Sequence, residues 1–150
     1  MVESRYVLFG LIAGAIAGIA QGIYTAIRYI PKVDEVIRES IAMIKNLYGL
    51  DISSFEGIIR LAIYISPLII VIMMLIIGAL LGALYEFISK KYGIKVGLFI
   101  TSLVIMLILV IPNIAVHSYE KALENLVGSM TYIIALSLLT AKYYRSLIRS

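Results

Sequence analysis

Few residues in this chain could do chemistry, and their spacing argues against most of it. His117 is the only histidine in 150 residues, and one imidazole makes neither a multi-histidine metal set nor a histidine pair. It falls in a loop and reads as a boundary residue. Cysteine is absent, which removes thiol nucleophiles, thiolate metal sites and disulfides together. The serines have no base at a spacing that would activate a hydroxyl. Glu86 and Lys90 have the helical spacing of an ion pair and read as a surface pair. Asp34, Glu35, Glu39, Asp51 and Glu56 match no calcium loop, so a solvated helix face accounts for them. The run from Gly10 to Gly22 is no phosphate loop, because neither a strand nor a Lys-Ser/Thr element accompanies it. A non-enzymatic chain without cofactor or metal is expected.

Polar groups inside apolar stretches mark ion and proton paths in membranes. Gln21 is the strongest such group here, with Thr101, Ser102, Ser129, Thr131, Ser137 and Thr140 as weaker ones. Gln21 is a candidate for a hydrogen bond between helices rather than for a substrate contact. Arg28, Arg60, Glu86 and Lys142 fall near the ends of apolar runs, where long side chains reach water. No buried Asp, Glu, Lys or His is expected along the spans. That disfavours a proton-driven transporter working as a single subunit.

The elements that carry these residues follow from composition. The chain is 62% hydrophobic and 15% charged, against about 25% charged in a soluble domain, and its mean hydropathy is +1.04. Its uncharged runs suit spans of ~20 residues. The expected fold is an all-α integral membrane protein, a four-transmembrane-helix bundle forming one domain. The spans fall at about 6–27, 61–85, 96–111 and 126–141. Ala17-Gly18-Ile19-Ala20 resembles a signal-peptidase site, but the first run outlasts a signal core of roughly 7–15 residues, so the span is expected to be retained.

Between the first two spans, Val33, Ile37, Ile41, Ile44 and Tyr48 recur at helical spacing while charges fall mostly elsewhere. That predicts an amphipathic helix over 32–48, too charged to cross a bilayer. It should lie on the surface or cap the bundle, and its apolar residues form a candidate surface for lipid or a partner. Ser53 and Glu56 have capping-box spacing ahead of the second span. Pro67 should kink that span, and Gly93 should end it. Pro112 and Asn113 should end the third span, and Ser118 should cap the last helix.

Gly10, Gly14, Gly18 and Gly22 recur every four residues, on one helix face. Each costs roughly 1 kcal/mol of helix stability in water, which implies a packing reason. Bare backbone lets another helix approach closely, the way helices associate in lipid. Gly78 and Gly82 of the second span are the natural partners, level with Gly10 and Gly14. Packing within one chain is favoured, with surplus glycine left for a second subunit. The stretch 11–18 also parallels 75–82 in a span of opposite direction. Inverted repeats are a transporter signature, but two packing motifs of Leu, Ile, Ala and Gly resemble each other anyway.

The net charge of +4 would suggest nucleic acid in a soluble protein, but here most of the excess flanks the spans. Arg5, Lys90, Lys91, Lys95, Lys142, Arg145 and Arg149 gather on one side, while acidic residues dominate the other. The positive-inside rule then places both termini in the cytoplasm of a multi-pass cell-membrane protein. The expected function is a non-catalytic membrane subunit or scaffold, assembling through glycine-zipper packing. Its partners are the bilayer and a homo-oligomer or larger membrane complex, with no nucleic acid. The alternative is a transporter or channel component with a pore formed between subunits. A lipid-acting enzyme is disfavoured because reactive groups do not converge.

Overall fold

The computed structural model describes residues 4–115 and 119–148. His117 and Ser118, the expected loop histidine and helix cap, lie outside them, as do the side chains of Glu120, Arg145 and Arg149. All regular structure among the described residues is helical. It runs through α1 (Ser4–Tyr29), a 3-10 turn (Ile30–Lys32), α2 (Val33–Tyr48), a second 3-10 turn (Ser53–Phe55), α3 (Glu56–Tyr92), α4 (Ile94–Leu109), α5 (Ile111–Ala115) and α6 (Tyr119–Ile148). Four helical stretches are long and apolar enough to cross a membrane: α1 with α2, α3, α4 with α5, and α6.

α1 is the central element, lying against α3 on one side and α6 on the other, while α4 packs on α3 and α6. Small residues make this position possible. Ala13 and Ala17 are fully buried beside Met74, Leu81 and Tyr85 of α3 and Tyr132, Ala135 and Leu136 of α6. The start of α1 and the end of α6 share one end of the bundle, where Arg5 Nη1 donates to the Tyr143 hydroxyl at 2.9 Å. Large apolar side chains line the outside of every long helix, among them Ile23 at 56% exposure, Leu80 at 67%, Phe99 at 66% and Leu138 at 66%.

Local chemistry explains where the helices stop and where they do not. Gly49 (φ 68°) and Gly93 (φ 88°) adopt left-handed backbone after α2 and α3, and their N–H groups reach Lys45 O at 2.9 Å and Ser89 O at 3.0 Å. Pro67 lies inside an unbroken α3. Its missing N–H would orphan the carbonyl of Ile63, four residues earlier, but the Ser66 hydroxyl donates to that oxygen at 2.8 Å. The third apolar run divides earlier than its proline suggests. α4 ends at Leu109, and Pro112 lies inside α5. The side-chain amides of Asn113 and Asn125 both donate to Leu109 O, at 2.8 and 2.9 Å.

Two local expectations are corrected. Ser53 and Glu56 form no capping box, because a 3-10 turn occupies Ser53–Phe55 and α3 starts at Glu56 without a side-chain cap. Asp51 does the capping work instead, accepting the Ser53 N–H at 3.0 Å. That bond holds the Asp51 carboxyl below its ordinary range, with the Ser53 hydroxyl and Lys45 adding to the effect. Secondly, Glu86 is no surface residue. Its side chain is 4% exposed, and Lys90 Nζ covers one oxygen at 2.7 Å.

Candidate ligand cavity

Gln21, Thr25 and Tyr29 stand one helical turn apart along α1 and so share a face. That face meets the first turns of α6. Thr25 Oγ1 makes a short hydrogen bond to Glu124 Oε1, and the Tyr29 hydroxyl donates to Glu124 Oε2 at 3.2 Å. One turn deeper, Gln21 Nε2 donates to Asn125 Oδ1 at 2.7 Å. Asn125 in turn holds the freed carbonyl of Leu109. A continuous polar seam therefore links α1, α6 and the broken end of α4. The expectation that no acidic residue is buried along the spans is corrected here, since Glu124 is 8% exposed and Glu86 3%.

Beside the seam is a cavity of about 460 Å³. Gln21, Thr25, Tyr29, Glu124 and Asn125 form its polar wall, with Asn113 from α5. Ile59, Ile63 and Ile70 of α3 form the apolar wall, and Val36 and Ser40 of α2 line a third side. α2 is held there by its own apolar residues. Val33 and Ile37 are buried, Ile41 and Ile44 are half-buried, and Tyr48 is exposed. Most of the surface expected to meet lipid or a partner is thus turned towards the bundle. No group of three or more His, Cys, Asp or Glu that could hold a metal exists among the described residues.

The glycines lie at the α1–α3 contact. A Cβ built on Gly14 would stand 3.0 Å from Gly78 Cα, and one on Gly10 2.5 Å from Gly82 Cα. Gly18 and Gly22 face the same helix, at 2.9 Å from Val71 Cα and 2.9 Å from Pro67 O. α3 therefore occupies the groove along its whole length, and the surplus glycine expected to meet a second subunit is used inside the chain. On the α6 side Gly128 gives room to Gln21, whose amide oxygen any Cβ there would strike.

No family model, curated protein or solved structure matches the chain. Sequence reasoning singled out Gln21 but missed Thr25, Tyr29, Glu124 and Asn125. The available signal was the turn-by-turn polar stripe at 21, 25 and 29, which would have asked for a polar partner.

Proposed function

We propose that this chain is a non-catalytic integral membrane subunit. Its four spans form one domain, clasped by a glycine zipper between α1 and α3, with both termini cytoplasmic. One observation carries this reading: the long helices turn Ile, Leu and Phe outwards along their lengths while burying polar groups such as Gln21, Thr25, Thr101, Glu124 and Ser129, the inverse of what water would select. The shared location of Arg5 and Tyr143 supports placing both termini on one side, and the lysines at 90, 91 and 95 suit the cytoplasmic side. α2 then lies at the outer surface, where exposed Met43, Leu47 and Tyr48 provide the contact for lipid or a larger partner. Native mass spectrometry of the gently solubilised protein tests the subunit role. A partner or second copy at fixed stoichiometry is expected, and a bare monomer in every mild detergent contradicts it.

A second reading, a transport component, is favoured by the cavity around Glu124. The pore expected between subunits gives way in this reading to a site within one chain. Pure protein in liposomes separates the two. A subunit or scaffold passes no solute, whereas a transporter gives solute flux that falls when Glu124 is replaced by Gln.

A further inference from the structure

We infer that the cavity beside Glu124 binds a monovalent organic ammonium group. The inference goes beyond the subunit reading and stands whether or not the chain transports anything. Glu124 is 8% exposed, and among the described residues no Lys or Arg pairs with it. Its two oxygens are held by the hydroxyls of Thr25 and Tyr29, which orient a carboxylate without neutralising it. A buried carboxylate without a counter-charge is costly, so a cation in the adjoining space gains strongly.

The other groups narrow the class. Asn113 spends one amide N–H on Leu109 O, leaving its amide oxygen as an acceptor on the cavity wall, whereas the Gln21 amide oxygen packs against Gly128. The Glu124 carboxylate and the Asn113 amide oxygen thus place acceptors on one wall, as an N–H-bearing cation requires. Among the described residues the lining holds one carboxylate and no group of three or more His, Cys, Asp or Glu occurs, which suits a single charge rather than a divalent metal. The Ile59, Ile63 and Ile70 wall suits a hydrocarbon body, and about 460 Å³ is within the usual range for a small organic ligand. The Arg28 guanidinium already lies over the Tyr29 ring, 6.0 Å from its centroid, so Tyr29 contributes through its hydroxyl. Lys121 also lines the cavity and acts as the competing internal cation.

Such an ammonium could arrive from solution or on a lipid headgroup, and two arms distinguish the sources. In the first, phenethylammonium is titrated calorimetrically into the intact protein in dodecyl maltoside, with 2-phenylethanol and 3-phenylpropionate as neutral and anionic controls. In the second, phosphatidylethanolamine is added to the same micelles and bound lipid is counted by native mass spectrometry. Saturable binding of one molecule per chain is expected in at least one arm. Glu124→Gln should weaken it by about 30-fold or more, while Lys121→Gln leaves it intact or tightens it. If Glu124→Gln misfolds, Ile63→Trp, which fills the space and keeps the carboxylate, should abolish binding with the melting transition retained. Binding in neither arm, equal binding of the neutral control, or loss on Lys121→Gln would overturn the assignment.

Discussion

Gly14 and Gly57 are both glycines inside helices, yet opposite outcomes are expected on adding side chains to them. A side chain at Gly14 meets the backbone of Met74 and Gly78, which cannot move without separating α1 from α3. Gly14→Leu should therefore cost about 3 kcal/mol or more, read as a lower unfolding midpoint in detergent. Gly57 has nothing within 4 Å, so Gly57→Ala should stabilise α3 by up to ~1 kcal/mol. Asp51 supplies a pH test. Its carboxyl is held below its ordinary range in the folded chain, so its contribution is complete above the unfolded value of about 4. That contribution is lost as pH falls through the lower, folded value. The exchange protection of the Ser53 amide, relative to the unfolded chain, should fall over that acidic window, and Asp51→Asn should remove that change. At this scale the glycines were legible in the sequence because their spacing has one cause. Glu124 was not, because a carboxylate just ahead of an apolar run looks solvated until α6 is seen to begin at Tyr119 and to lie beside Thr25.

Among the elements, the existence of the helices was readable and their joints were not. Apolar runs of span length announce α1, α3 and α6, whereas the division between α4 and α5 involves one side chain remote in sequence as well as a local one. Leu109 O leaves the ladder held by two side-chain amides, the local Asn113 and Asn125 from α6. α3 continues through Pro67, where a neighbouring hydroxyl supplies the donor that proline lacks. Ser66→Ala should therefore leave Ile63 O unsatisfied and destabilise by about 1–3 kcal/mol, with faster exchange confined to the middle of α3. α2 is attached mainly through burial. Its salt bridge, Asp34 to Arg60 at 2.7 Å, is partly exposed, so Asp34→Asn should change stability by no more than ~1 kcal/mol. Ile37 is 2% exposed, and Ile37→Asp should release α2 and uncover the cavity. Hydrogen exchange across 33–48 distinguishes the two variants: strong acceleration for the second and little for the first.

The whole molecule joins an outer surface suited to hydrocarbon with an interior in which small residues of α1 meet larger ones such as Tyr85, Tyr132 and Leu136, crossed by a polar seam. The surface follows directly from composition, since a chain with 15% charged residues has little with which to face water. The interior could only be partly anticipated, because pairing depends on which helices become neighbours. α1 serves two neighbours, presenting glycine to α3 and the stripe at 21, 25 and 29 to α6, and the cavity lies where α2 covers their junction.

Single cysteines provide the most direct test, because the chain has none of its own. Met43→Cys on α2 and Lys91→Cys at the end of α3 would each be treated with a membrane-impermeant maleimide in intact cells. The four-span arrangement predicts labelling at 43 from outside and labelling at 91 only after the cells are opened. Equal labelling of both in intact cells, or protein recovered in the soluble fraction, would contradict it.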